Sequence, residues 1–537
     1  MSGQSVSEQV AALRDAGLAA ERRGDGKAAR EAYQRALALD ADNLEVLILL
    51  GNLYKRLRQS DAARRTYQRA LAVSPTCIEA HFNLATLDQD AANYPQAIQA
   101  YQRVLQHAPG IAQAWHNLVA CLTYAPDAPR ASVKAALAGF DRLNTPSRQR
   151  RLFPNDFDPE RQLRIGYVSA DFRAHPVGYL ALPLIEGHDR TRFEVSCYFS
   201  HRIEDDWTAK FRKAADRWLN VAQLNDAALA QRIADDGIDI LVDLAGHSEG
   251  NRLPAFARRA APVQVSWMGY VTTTGLSAMD WRLTHADADP SGAEIDYTER
   301  LWRLPSSLWC YRPLPGMPDV QPPPVLKKGH VTFGVLNRYA KNSQAALRAW
   351  AEILRRVPDS RLLINAPQGE PQRRLAQFFG EQGIDLARID CFIHSDHNRF
   401  WQLHHAVDIA LDPFPFNGGM TTCETLWMGV PVVSCSGSDL NLEGFTFPSR
   451  FASRMGRAMI NAIGRPEWVA DTIPGYIDCA VRMARHPAQL SRWREAQRSQ
   501  MAQSRLMDER AFIADVEVAY RTMWRERCEV MDEVMDA

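Results

Sequence analysis

Apolar positions change their period once along this chain of 537 residues. Over the first 125 they recur at helical spacing, and that helical pattern itself returns every 34 residues. Gly17, Gly51 and Ala85 share one phase, as do Ala29, Ala63 and Ala97, and then Tyr33, Tyr67 and Tyr101. Small residues are required where two helices touch, a tyrosine fills the gap above them, and Pro75 and Pro109 close two of the units. The pattern predicts antiparallel helix pairs stacked into a superhelix whose concave groove suits an extended peptide. Trp115, Leu118 and Leu122 begin a fourth unit, which degenerates over 126–129. A charged, proline-punctuated stretch, 145–162, follows.

From residue 163 the pattern becomes short apolar runs of strand length alternating with helices. Strands are predicted at 163–169, 193–199, 238–244 and 263–267, with helices at 177–186 and 226–236. A proline-rich connector over 313–329 interrupts the rhythm. It then resumes with strands at 330–336, 361–365, 389–393, 407–411 and 432–436 and helices at 343–356, 371–381, 398–407 and 421–428. The predicted fold class is α/β behind an all-α N-terminal repeat domain. Its parts are repeats over 1–125, linker helices over 126–162, and two Rossmann-like lobes, 163–312 and 330–505. A terminal helical segment, 506–537, is expected to pack across the lobes.

Charge narrows the partners. Lys+Arg and Asp+Glu are both 63, so nothing global points to nucleic acid or to a charged membrane. The start, MSGQSVSEQV, lacks a basic, then apolar, leader pattern, and no apolar run reaches the length of a membrane span. Nine cysteines are scattered without paired spacing, which predicts reduced thiols and a cytoplasmic location.

The chemistry concentrates at strand ends, where doubly wound sheets place ligands. In the second lobe a run from Asp412 to Pro431 passes from a buried strand through a Pro/Gly-rich turn into a short helix. Gly418 and Gly419 let the backbone approach a ligand. Thr421 or Thr422 is read as the helix cap, and Glu424, one turn in, can accept hydrogen bonds from hydroxyls. Exposed N–H groups and the positive end of the helix dipole make an anion site there, suited to a diphosphate joined to a ribose. Asn337, Arg338 and Lys341 follow the first strand of this lobe and are predicted to face the same edge, where two cations would neutralise a departing diphosphate. In the first lobe three turns sit at strand ends: 171–177 with His175 and a nearby carboxylate, 246–252 with His247, and 267–275. A histidine at such an edge can take a proton near neutral pH. Asp287 and Asp289 have the spacing of a cation-binding pair but lie outside the phosphate context, so no metal is expected.

Two Rossmann-like lobes with a diphosphate site in the second resemble the GT-B class of nucleotide-sugar glycosyltransferases. With repeats in front, the chain resembles the nucleocytoplasmic protein O-GlcNAc transferases and their plant Spindly-type relatives. The motifs carrying this are 171–177, 246–253, 261–270, 333–341 and 417–431. The resemblance implies that His175 contacts sugar and acceptor or acts as base, that Lys341 binds the diphosphate, and that Arg338 stands at a phosphate-contacting position. It puts Thr421 and Thr422 at the phosphate-binding helix start, Glu424 on the ribose, Met268 and Gly269 along the sugar pocket, and the nucleobase against the segment from His394 to Phe400. The implied reaction is metal-independent inverting transfer of GlcNAc from UDP-GlcNAc to Ser/Thr hydroxyls of a protein or peptide lying in the repeat groove, with no cofactor beyond the donor. Two pocket positions depart from the animal pattern: Ala340 replaces a tyrosine and Gly419 a histidine. The Gly246-His247-Ser248 turn and the Ala340-Lys341 pair are closer to the Spindly branch, associated with GDP-fucose. A sugar-nucleotide epimerase and a non-catalytic nucleotide-binding scaffold are the alternatives outside the class.

Overall fold

The computed structural model describes residues 5–125, 128–146, 153–393, 396–437, 439–442, 445–448 and 450–535. Contacts divide the chain into two units, 1–125 and 126–537.

The first unit is built by the tyrosine phase. Helices Val6–Arg22 and Gly26–Leu39, Leu44–Arg56 and Ser60–Val73, and Ile78–Asp90 and Tyr94–His107 form three pairs, and Ala112–Tyr124 begins a fourth. Tyr33, Tyr67 and Tyr101 are fully buried. A Cβ added at Gly17 would come within 2.3 Å of the Tyr33 ring, and one at Gly51 within 2.4 Å of Tyr67. The glycines are therefore set by the ring that each must admit. A feature absent from the sequence reading is the turn inside each pair. It takes a left-handed residue at the same phase, Gly24, Arg58 and Ala92, with φ of 78°, 57° and 58°.

In the second unit, helix Arg130–Asn144 packs on the first lobe. Phe140 meets the His247 ring edge-on at 5.1 Å, and Asp141 accepts from the Ser277 N–H at 3.1 Å. The first lobe's sheet has seven strands: β1 Leu163–Ser169, β2 Phe193–Phe199, β3 Arg217–Asn220, β4 Ile240–Asp243, β5 Val263–Ser266, β6 Trp281–Thr284 and β7 Arg300–Arg303. All pairs are parallel, in the order β3-β2-β1-β4-β5-β6-β7. Strands β3, β6 and β7 escaped the sequence reading because each is four residues long and carries an arginine among its apolar positions.

The second lobe's strands are β8 Thr332–Val335, β9 Arg361–Asn365, β10 Ile389–Phe392, β11 Ile409–Leu411 and β12 Val432–Cys435. A hairpin follows, β13 Asp439–Leu442 and β14 Phe445–Pro448, and then β15 Val469–Ala470. The main sheet runs β10-β9-β8-β11-β12-β15, again all parallel. Both lobes thus reverse direction beside their first strand, between β1 and β4 and between β8 and β11. A crevice opens at the carboxyl ends of strands at such a switch point.

Two devices join the lobes. Arg454, on helix Phe451–Ala462, donates to the Ala288 carbonyl and to Asp289 Oδ1, and Asn461 of that helix donates to Asp287 at 3.0 Å. Asp289 also accepts from Thr284 at 2.7 Å and from Tyr297 at 3.0 Å within the first lobe, so the acidic pair divides its bonds between its own lobe and the interlobe seam. The second device is the last helix, Glu509–Met535, which returns to the first lobe. Glu517 and Tyr520 join a buried network with His188 and Tyr167, and Phe512 packs on Trp267. All nine cysteines are free thiols. No helix among the described residues is long and apolar enough to cross a membrane.

Candidate functional site

The loop after β11 is organised by one buried carboxylate. Asp412 accepts from the Gly418 N–H at 2.7 Å and from Ser434 Oγ at 2.8 Å. This folds 412–418 into a closed turn, inside which Asn417 donates to the Pro413 carbonyl at 2.9 Å. A Cβ at Gly418 would lie 2.1 Å from Thr422 Oγ1 and 2.9 Å from Asn337 Oδ1, so only glycine fits between these two side chains. Helix Met420–Trp427 starts immediately after.

Its N-cap is Gly419, with no side-chain cap, so the expectation that Thr421 or Thr422 caps the helix is corrected. The Asp412–Gly418 bond fixes the turn two residues too early for that. The threonines instead occupy the first helical turn, where Thr422 is buried. The helix start therefore keeps the Met420 and Thr421 N–H groups free of a capping side chain, while the Thr422 N–H donates to the Gly419 carbonyl at 2.9 Å.

Lys341 reaches the same place from the other side of the switch point. It ends a short 3-10 turn, Tyr339–Lys341, after β8, and its Nζ donates to the Asn417 carbonyl at 2.6 Å while lying 4.2 Å from the centre of the Phe416 ring. Burial pushes its ammonium down from the usual lysine range; Asp412 opposes that shift and Arg338 adds to it. Burial pushes Asp412 the other way, against its hydrogen bonds and the Lys341 charge. Asn337 is buried beside Gly418, and Arg338 is exposed.

Glu424 lies deeper. It is 5% exposed and accepts from Trp401 Nε1 at 3.2 Å. Burial raises it to about 7. His397 Nδ1 is 4.0 Å from the same carboxylate, and its ring packs edge-on against Trp401. Of the segment expected to hold the base, His394 lies outside the described residues. Phe400 is buried edge-on against His404, while His397 and Trp401 of the same helix turn toward Glu424. Sequence reasoning singled out neither. Their signal was the helical i, i+4 spacing, which puts 397 and 401 on one face.

The first lobe supplies His175 as the N-cap of helix Pro176–Gly187. A Cβ on Gly178 would strike the carbonyls of Arg173 and Asp171 at 2.4 and 2.6 Å, so this glycine lets the 171–175 loop fold tightly against the helix start. His175 Nδ1 lies 3.3 Å from both the Val177 N–H and Asp171 Oδ2. The Val177 N–H donates to Nδ1, which puts the neutral ring's proton on Nε2; only a switch to the tautomer that gives up this bond and donates Nδ1–H to Asp171 frees the Nε2 lone pair to take a proton. Burial lowers the imidazole; Asp171 opposes this, and Arg173 and Arg338 reinforce it. Arg338 belongs to the second lobe. Its charge lowers both His175 and Lys341, a smaller effect than the burial of either group.

Met268 and Gly269 follow β5. Met268 takes a left-handed φ of 64°, and a Cβ on Gly269 would sit 1.8 Å from the Leu244 carbonyl oxygen, so the loop's backbone lies directly on the end of β4. The buried Arg282 holds this loop by donating to the Tyr270 carbonyl at 2.7 Å and the Thr272 carbonyl at 3.0 Å. His247 is buried with Nε2 against the Thr274 carbonyl at 2.9 Å, which makes it a brace of the same loop. Tyr179, four residues after His175, crosses the crevice with its ring edge-on to His397 at 5.8 Å.

Comparison with known proteins bears on the family and the fold. The family model described as glycosyl transferase family 41 matches residues 109–311 and 325–516, and a tetratricopeptide repeat model matches 20–87. The chain is 36% identical over 382 residues to the probable UDP-N-acetylglucosamine–peptide N-acetylglucosaminyltransferase SPINDLY of Solanum lycopersicum, covering 69% of this chain and 40% of that protein. It is 29% identical over 381 residues to the Arabidopsis thaliana protein named SEC, with 68% and 38% covered. The chain thus spans about two fifths of the length of these plant relatives. Among solved structures it superposes on a mutant O-GlcNAc transferase of Thermobaculum terrenum with a TM-score of 0.85 at 34% identity, covering 98% of this chain and all of that one.

Proposed function

Because the chain belongs to glycosyl transferase family 41, we propose that its crevice transfers a sugar from a nucleoside diphosphate donor to the hydroxyl of a protein serine or threonine, with UDP-GlcNAc as donor. The observation that carries this reading is the Lys341–Asn417 contact, which holds a cation at the uncapped start of helix Met420–Trp427. A diphosphate seated there meets N–H groups and an ammonium, and both bind it more strongly as its charge grows in the transition state.

The acceptor hydroxyl attacks the anomeric carbon from the face away from the nucleotide. Its proton passes toward His175, the bond from carbon to the diphosphate oxygen breaks, and the configuration inverts. Asp171 orients the imidazole and stabilises its protonated form. Glu424 accepts from the ribose hydroxyls, and the base lies against the His397–Trp401 face. The protein's own groups supply the charge stabilisation, so the reaction is written without a metal or other cofactor. The repeats supply a binding surface for the polypeptide acceptor, and nine free thiols fit a cytoplasmic enzyme.

A second donor, GDP-fucose, is favoured by the Gly246-His247-Ser248 turn and the Ala340-Lys341 pair, which resemble the Spindly branch. The test is calorimetric titration with UDP and GDP separately, followed by transfer from UDP-GlcNAc and GDP-fucose to a serine-containing peptide library. UDP binding with GlcNAc transfer supports the main reading, GDP binding with fucose transfer the second. Nucleotide binding with no donor consumed would leave a scaffold, and free sugar product formed without peptide would leave an epimerase.

A further inference from the structure

Helix Pro176–Gly187 turns one face, beginning at Tyr179 beside the crevice, toward a neighbouring helix. Tyr179, Leu182 and Glu186, at i, i+3 and i+7, look across to helix Asp206–Ala214, which offers Trp207, Lys210 and Lys213. The cavity between them measures about 730 Å³, within the range of ligand pockets. Its acids are already committed, Glu186 to Arg312 at 2.6 Å and Asp216 to Arg190 at 3.1 Å. Its lysines are not. Lys210 lies 3.9 Å over the Trp207 ring, and among the described residues neither Lys210 nor Lys213 has a carboxylate within ion-pair distance. The cavity therefore presents two unneutralised ammonium groups beside an indole. It adjoins the crevice through one shared side chain, Tyr179. Tyr179 forms part of its wall, packs on Trp207 at 4.6 Å between ring centres, and meets His397 on its other side. His175 caps the same helix about 6 Å earlier along the axis.

We propose that this groove docks an acidic, extended stretch of the acceptor polypeptide flanking the hydroxyl to be modified. The proposal rests on the protein-glycosyltransferase reading above. From His175 to Glu186 the helix spans about 16 Å, the length of roughly five extended residues. Carboxylates two to five positions from the acceptor hydroxyl therefore reach the lysines, and an apolar neighbour covers Trp207. A free anion would use the same lysines without regard to that spacing.

The test reads binding. Anisotropy of labelled peptides is measured on the full chain saturated with UDP, at low salt. One peptide carries glutamates two to five residues from a central serine on either side, a second carries glutamines there, and a third has its glutamates ten residues away. The near-glutamate peptide is expected to bind about 10-fold tighter than the other two. The Lys210→Glu/Lys213→Glu variant is expected to erase that preference while calorimetric UDP affinity stays the same. Equal affinity of all three peptides, a preference that survives the double variant, or one indifferent to glutamate position overturns the proposal. A separate assay of donor consumption reports on the transferase reading itself, so the two ideas fail by different signals.

Discussion

Lys341 Nζ donates a 2.6 Å hydrogen bond to the main-chain carbonyl of Asn417, two residues before the N-cap of helix Met420–Trp427. The cation and the helix start are thus parts of one frame: the turn that aims the N–H groups also anchors the ammonium. Lys341→Ala is expected to lower kcat by about 10²–10³, comparable to loss of one oxyanion donor, and to weaken UDP binding. Steady-state kinetics and calorimetry check both; a kcat near the wild-type value would remove Lys341 from the mechanism.

The pH profile follows from the two perturbed groups. His175 is held below the usual imidazole value of 6.5, chiefly by burial, so it is neutral and able to take a proton at neutral pH. Lys341 is held below 10.5 by burial, so it loses its charge at lower pH than an exposed lysine. The expected kcat/KM profile is a bell with an acid limb below 6.5 and an alkaline limb below 10.5. In Lys341→Arg the alkaline limb should move out of range, because a guanidinium stays charged. An alkaline limb unchanged in that variant would assign it to another group.

Glu424 carries a stability signature. Its folded-state value of about 7 lies above the ordinary glutamate value of 4.5, so between these the native state holds a proton that the unfolded chain has released. Stability from this group therefore falls as pH rises through that window and stays low above it. Glu424→Gln removes the effect, and its melting temperature should exceed wild type at pH 8 but not at pH 4, with a gain of at most about 3 kcal/mol. The same variant should bind UDP several-fold more weakly. A melting difference independent of pH would contradict the buried-carboxylate account.

The seam between the lobes rests on Arg454. Its guanidinium is buried against the Ala288 carbonyl and Asp289. Arg454→Ala leaves Asp289 with its Thr284 and Tyr297 partners but exposes the seam, and is expected to cost about 2–3 kcal/mol. Differential scanning calorimetry should show the single transition of the second unit broadening or splitting. A transition unchanged in midpoint and width would deny the seam its role.

Where the physics is local, the sequence was readable. The tyrosine phase of the repeats, the strands at 163–169 and 193–199, and the meeting of Lys341 with the turn that starts helix Met420–Trp427 all follow from periodicity and from the rule that ligands sit at strand carboxyl ends. What escaped depends on partners far along the chain. The cap at Gly419 is decided by Asp412 through a hydrogen bond that no spacing announces. Asp287 and Asp289 look like cation ligands until Arg454, about 165 residues on, is seen to occupy one of them. Tyr179 and His397 are unremarkable in their own helices and become neighbours only when the two sheets face each other. His247 has the sequence position of a catalytic histidine, yet the Thr274 carbonyl takes its ring nitrogen.

The most direct test of the central claim is a crystal structure with UDP bound. The account predicts the β-phosphate within hydrogen-bonding distance of both Lys341 Nζ and the N–H groups of Met420 and Thr421, the ribose hydroxyls on Glu424, and uracil against His397. A nucleotide bound elsewhere, or one in this crevice whose phosphates touch neither Lys341 nor that helix start, would contradict it.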